Sequence, residues 1–267
     1  MQVTNLGTSG LKVSRVALGG MSFGTPTQYG PWTLDDQVAE PIFRQAVELG
    51  ITFWETSNNY GMGSSEEIIG RALRKYASRD DIVLATKLAM PVHPGPRGSG
   101  LSRKAVMEQI DASLGRLGTD YVDLYQIHRF DPQTPVEETM EALHDVIKAG
   151  KARCIGAWSM WAWQFAELQH AAQANGWARF VSMQDQYNLL QREEEREMLG
   201  LLADQGTGAI PWRPLAAGNV DRVAHVHRAV ASLPLSLPVI RPAHKRAMVT
   251  ALLPWACWRE TPLGGNA

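Results

Sequence analysis

The sequence predicts an α/β protein of the (β/α)8 TIM-barrel type, on three observations. Seven apolar, β-branched runs alternate with helix-length segments, the pattern of parallel α/β architecture. A polar, charged or aromatic residue follows six of them: Glu55, Lys87, His128, Ser159, Gln184 and Trp212. In a barrel those strand ends converge on one mouth, whereas an open sheet spreads them along a line. The 267 residues also suit a single barrel of roughly 250, and nothing interrupts the alternation to divide it in two.

Each element has its own signature. Met1 to Ser14 reads as a hairpin turning at Gly7-Thr8-Ser9-Gly10, and Val16 to Gly20 as the first buried strand. Leu34 to Leu49 has helical periodicity and Gly50 closes it. Ile51-Thr52-Phe53-Trp54 has the composition of a strand buried on both faces, and Glu55 puts an acid at its end. Tyr60 follows in a Ser/Asn/Gly loop, and Ser64-Ser65-Glu66-Glu67 has the form of a capped helix start. Asp81 to Thr86 is the next strand, ended by Lys87. Met90 to Gly100, rich in Pro and Gly, is a loop suited to a substrate wall.

The second half repeats the scheme. A helix over Ser102 to Leu117 leads to the strand Tyr121 to Ile127, with His128 at its end. Pro135 to Ala149 is a helix with Pro in its first turn and Gly150 after its last. Ala152 to Ala157 is a strand followed by Trp158-Ser159, and the helix Trp161 to Asn175 stops at Gly176. Phe180 to Met183 is a strand ended by Gln184. Arg192 to Asp204 reads as a helix whose charge run is a solvated face. Thr207 to Pro211 is the seventh strand, with Trp212 after it.

Composition limits the function classes. With 26 basic and 27 acidic residues and 45 % apolar content, the chain is expected to be soluble and globular, with no nucleic-acid partner. No apolar run spans a bilayer. Cys154 and Cys257 fit no metal spacing or disulfide framework, so a reducing cytosol is the expected compartment. Three local motifs are rejected. Gly20-Met21-Ser22-Phe23-Gly24 matches a nucleophile elbow by letters, but a loop follows it where the elbow needs a helix. Gly61-Met62-Gly63 lacks the third glycine of a dinucleotide fingerprint and is a tight turn. His225 and His227 have no third ligand to make a metal site.

Six stretches, taken in order, resemble the motifs of the aldo-keto reductases: FWETSNNYG, LATK, YVDLYQIHRFD, KARCIGAWSM, FVSMQDQYNLL and IPWRPLAAG. The resemblance covers about residues 11 to 218, and GLSRK, PVEETMEALHDVIKAGKAR and REEEREM place it nearest the aryl-alcohol-dehydrogenase-like branch. It implies reduction of a small-molecule aldehyde or ketone, aryl aldehydes among them, by hydride transfer from NADPH. Tyr60 would be the general acid, Lys87 its partner, Glu55 the carboxylate beside the lysine, and His128 the residue that orients the carbonyl. An unperturbed tyrosine near pKa 10 gives up its proton slowly at neutral pH, and a neighbouring ammonium favours the phenolate. For the cofactor the resemblance implies Gly20, Met21, Ser159, Gln184, Trp212, Leu215 and Gly218: Ser159 and Gln184 on the nicotinamide carboxamide, Trp212 stacked on its ring, Leu215 to Gly218 around the pyrophosphate. The Met and Trp residues of Trp158 to Trp163 are expected to serve packing rather than to contact the cofactor.

The sequence also departs from the family. Its D-T-A triplet is here Glu55-Thr56-Ser57; the extra methylene of Glu, against a tolerance of ~1 Å in catalytic geometry, predicts activity reduced about 100-fold but not lost. Met160 stands where many members have Asn, and Arg213 where the family has Ser. Residues 1–218 are read as the oxidoreductase barrel and 219–267 as an atypical segment. That segment holds two acids, Asp221 and Glu260, against six Lys/Arg, and five prolines break any helical period. The last strand–helix units are therefore expected to be incomplete or altered, with Pro238-Val239-Ile240 as a shortened eighth strand and Lys245-Arg246 as its phosphate clamp. The alternative function is a catalytically impaired, cofactor-binding or regulatory homologue. Oligomeric state is not predicted.

Overall fold

A computed structural model describes residues 1–25, 33–95, 98–219 and 249–251. A hairpin of β1 (Val3–Asn5) and β2 (Lys12–Ser14) precedes a curled parallel sheet. Its strands follow chain order: β3 (Val16–Gly19), β4 (Phe53–Glu55), β5 (Val83–Leu88), β6 (Val122–Ile127), β7 (Ala152–Trp158), β8 (Phe180–Gln186) and β9 (Gly208–Trp212). Helices α1 (Asp36–Glu48), α2 (Ser64–Tyr76), α3 (Arg103–Leu117), α4 (Val136–Lys148), α5 (Ala162–Asn175) and α6 (Met198–Gln205) fill the crossovers from β3 to β9. This is the expected (β/α)8 scheme with its last unit altered.

The eighth position is taken by β10 (Val249–Ala251), which pairs with β3 antiparallel, Val249 opposite Leu18 and Ala251 opposite Val16. Cα atoms of β10 also come within 8 Å of β9, so this segment stands in the gap between the first and seventh barrel strands. The proposed strand at 238–240 and the clamp at 245–246 lie outside the described residues.

The hairpin plugs the N-terminal end of the barrel. Leu6 and Val13 pack with Ala17, Phe53, Ala85, Leu124 and Ile210, one apolar layer drawn from five strands. Ser14 Oγ accepts from the amides of Thr52 and Phe53, both at 3.1 Å, and so pins β4 to the plug. Outside the strands a larger core joins sheet to helices, with Phe23, Phe43 and Trp54 in a tilted aromatic row. Glu66 lies in the first turn of α2. It is fully buried, accepting from Thr86 Oγ1 at 2.5 Å and pairing with Arg116 Nε at 2.6 Å, which ties α2 to β5 and α3.

The helix expected over Arg192 to Asp204 is shorter than predicted. A 3-10 turn at Glu193–Glu195 precedes α6, closed by two bonds from the Arg192 guanidinium to the Glu195 carboxylate at 2.8 and 2.9 Å.

Candidate active site

The site is built where β4, β5 and β6 end. Past Glu55 the chain stays clamped to β5: Thr56 N donates to Ala85 O (2.9 Å) and Asn58 N to Lys87 O (3.2 Å). It then turns through Gly61, Met62 and Gly63, all at positive φ. Gly61 and Gly63 are needed here, because a Cβ on Gly61 would meet Ser64 Oγ at 2.2 Å and one on Gly63 the Arg116 side chain at 2.7 Å. The turn carries Tyr60 back over Lys87.

Lys87 is fully buried, and its ammonium uses all three donors. Nζ pairs with the Glu55 carboxylate and donates to Thr56 O and to Tyr60 Oη, each at 3.0 Å. Burial pulls the lysine well below its ordinary range. The Glu55 carboxylate lies against Nζ, an opposite charge that favours the charged form, so the longer acid does reach its partner.

His128 follows β6, its amide held by Leu88 O at 2.8 Å. Its ring meets Tyr60 edge-on at 5.7 Å and Trp158 edge-on at 4.6 Å. Burial, then the positive charges of Lys87 and Arg129, push the imidazole well below its usual range, so it is neutral at pH 7. Its Nδ1 lies 3.1 Å from Ser57 Oγ.

Across the mouth stand the residues after β7, β8 and β9. Ser159 N donates to Gln184 O at 3.0 Å, and Ser159 Oγ accepts from Trp212 Nε1 at 3.3 Å. Gln184 Nε2 is buried with no hydrogen-bond acceptor among the described residues. Both oxygens of Asp185 are likewise unpartnered, and burial, with Glu194 nearby, raises its carboxyl well above the usual range. Arg213 follows at positive φ, its guanidinium 5.3 Å from the Trp212 ring.

The structure therefore brings Glu55, Tyr60, Lys87 and His128 into one contact set, and joins Ser159, Gln184 and Trp212 into a second. Gly20 borders the first set. Its amide donates to Glu55 O at 2.6 Å, an approach that a Cβ would close off. Met21 is half-buried and adjoins Gly20. Leu215 is exposed and Gly218 closes a tight turn on Leu215 O, with no bond from either to the two sets among the described residues.

One residue at the site escaped the sequence analysis. Trp158, expected to serve packing, links the two sets: its ring lies on Trp212 at 5.4 Å and 19°, meets His128, and has the Arg129 guanidinium at 3.9 Å. Strand alternation was the available signal, because Trp158 shares parity with Cys154, which packs on the barrel's inner layer.

A parallel barrel with its buried polar side chains gathered at the C-terminal strand ends is an enzyme-type (β/α)8 barrel. The chain belongs to the Aldo/keto reductase family, whose sequence profile matches residues 15–230. An aldo-keto reductase of Fusarium vanettenii is 46 % identical over 241 residues, 82 % of this chain and 65 % of the relative. Versiconal hemiacetal acetate reductase of Aspergillus parasiticus is 46 % identical over 240 residues, 83 % of this chain and 69 % of the relative. A Schizosaccharomyces pombe protein named as an aryl-alcohol dehydrogenase is 43 % identical over 242 residues, 81 % of this chain and 68 % of the relative. The chain thus spans about two thirds of the length of these relatives.

Proposed function

We propose that this chain is an NADPH-dependent oxidoreductase that reduces aldehydes or ketones, aryl aldehydes among them, to alcohols. The observation that carries the reading is the Tyr60 hydroxyl 3.0 Å from an ammonium that is wholly buried and paired with Glu55. Two features support a nicotinamide carboxamide at the second set: Gln184 Nε2 is a buried donor lacking an acceptor, and Ser159 keeps its own hydroxyl hydrogen after accepting from Trp212. When bound, the cofactor supplies the hydride. Ser159 and Gln184 would hold the carboxamide, and Trp212 would offer a ring face.

The chain's own residues account for the proton. As the substrate oxygen gains negative charge, Tyr60 gives it the phenolic proton, and the adjacent ammonium stabilises the phenolate left behind. Glu55 holds Lys87 charged and in place. Neutral His128 lines the same pocket without adding a positive charge that would compete with the ammonium. The barrel domain of this activity is residues 1–218.

A second reading, a cofactor-binding homologue with little turnover, is favoured by Trp158, which covers one face of Trp212. NADPH consumption with a generic aromatic aldehyde separates the two. Aldehyde-dependent consumption is expected; saturable NADPH binding without it would replace the reductase by the second reading.

A further inference from the structure

Arg129 follows His128 past the end of β6 and is open to solvent. Its guanidinium lies over the Trp158 ring, 3.9 Å from the centroid, which is a cation–π contact. Trp158 in turn meets His128 edge-on at 4.6 Å. The Arg129 head is therefore no farther from the His128 ring than those two distances laid end to end, a span of the order of one substituted benzene ring. An arginine has five N–H donors, and Arg129 uses one of them: Nη1 reaches His128 O at 3.4 Å, a long contact with its own chain neighbour. Arg79, Arg103, Arg116 and Arg192 each hold a carboxylate, whereas Arg129 has no such partner among the described residues. Partial burial pulls its guanidinium below the usual range, and the charges of Tyr60 and Asp185 act the other way. Asp185 competes weakly for it, because burial favours the neutral form of that carboxyl.

We propose that Arg129 is a specificity-determining residue that binds a carboxylate on the substrate, so that the preferred substrates are aromatic aldehydes with a carboxylate at the far end of the ring from the carbonyl. The substrate class rests on the proposed reductase reading, which puts the reacting carbonyl at Tyr60 and beside His128. The flat guanidinium keeps its face on Trp158 while its edge is free to meet a carboxylate with two parallel hydrogen bonds. Trp158 thereby fixes the distance between the cation and the reacting centre. The arrangement selects by charge at one end of the ligand and reacts at the other.

The test is calorimetric titration of the full chain with benzoate and with benzamide, its neutral counterpart, in the presence and absence of NADPH. The unmutated protein should bind benzoate about 10- to 100-fold more tightly, the range of a charged hydrogen bond. Arg129→Met should lose most of that preference, and Arg129→Lys, which keeps the charge but not the planar fork, should fall between the two. Equal binding of the two probes by the unmutated protein would overturn the proposal, and no variant is needed to see it. So would a preference that survives in Arg129→Met and disappears in Arg213→Met, the arginine beside Trp212. Loss of NADPH affinity in Arg129→Met with the benzoate preference intact would give the residue to the cofactor's phosphates instead. In the active protein, the kcat/KM ratio of para-carboxybenzaldehyde to its methyl ester should fall about 10-fold in Arg129→Met, through KM; an unchanged ratio would remove the substrate class. The titrations need no turnover. A benzoate preference set by Arg129 in a protein that consumes no aldehyde would therefore sink the reductase alone, and turnover without that preference would sink this inference alone.

Discussion

The two halves of the barrel mouth are built differently. On the β4–β6 side, Lys87 has a carboxylate, a carbonyl and a phenol for its three donors, and His128 has Ser57. On the β7–β9 side, Gln184 Nε2, Trp158 Nε1 and both oxygens of Asp185 are buried without partners, as are both amide atoms of Gln126 inside β6 on the other side. Buried polar groups without partners cost free energy, and those of Gln184 and Asp185 lie at the C-terminal end of β8, where a ligand is expected to complete the structure. The first half has the features of a preorganised reacting centre; the second has those of a binding surface.

Removing a group from the first half should therefore cost the most. Lys87→Met strands the Glu55 carboxylate in the interior, and stability should fall by about 3–5 kcal/mol in urea unfolding. Adding Glu55→Leu should recover most of that stability while turnover stays lost. Recovery of turnover in the double variant would show that the ion pair is not needed for the chemistry. Behind the same half, Glu66→Ala leaves the Arg116 head without its carboxylate and Thr86 without its acceptor. Chemical denaturation should again show a loss of roughly 3 kcal/mol, with smaller losses meaning that water replaces the carboxylate.

The second half gives gentler effects of opposite sign. Asp185 has its pKa raised in the folded state, so the native protein binds more protons than the unfolded chain above the usual value of 3.8. Stability should thus fall as pH rises from that value toward the folded pKa, by at most about 1.4 kcal/mol per unit. Asp185→Asn should flatten the profile and stabilise the protein at pH 7; a steeper profile in the variant would contradict the assignment of burial as the cause. Smallest of all, Trp158→Ser uncovers a face of Trp212, and NADPH should bind about 2- to 10-fold tighter by fluorescence titration. Weaker binding would make Trp158 part of the cofactor surface instead of its cover.

Much of the first half was legible in the sequence because strand ends expose residue type directly. Glu55, Lys87 and His128 each follow an apolar run, and the short loop Thr56-Ser57-Asn58-Asn59 after Glu55 returns Tyr60 to the same place. Ser57 and His128 are 71 positions apart, and only the fold reveals that they touch. Trp158 was missed because a tryptophan at a strand end reads as packing until its parity is counted. The end of the barrel was harder still. Antiparallel pairing of β10 on β3 leaves no local mark, since a three-residue strand has no periodicity to read.

The most direct test of the account is NADPH consumption with an aromatic aldehyde, measured for the unmutated chain and Tyr60→Phe side by side. Each protein is first checked for cooperative thermal unfolding and for quenching of tryptophan fluorescence by NADPH. The account predicts that both bind NADPH alike and that turnover in Tyr60→Phe falls by about 10²- to 10⁴-fold. Equal turnover in the two, with binding intact, would show that the hydroxyl held by Lys87 does not deliver the proton.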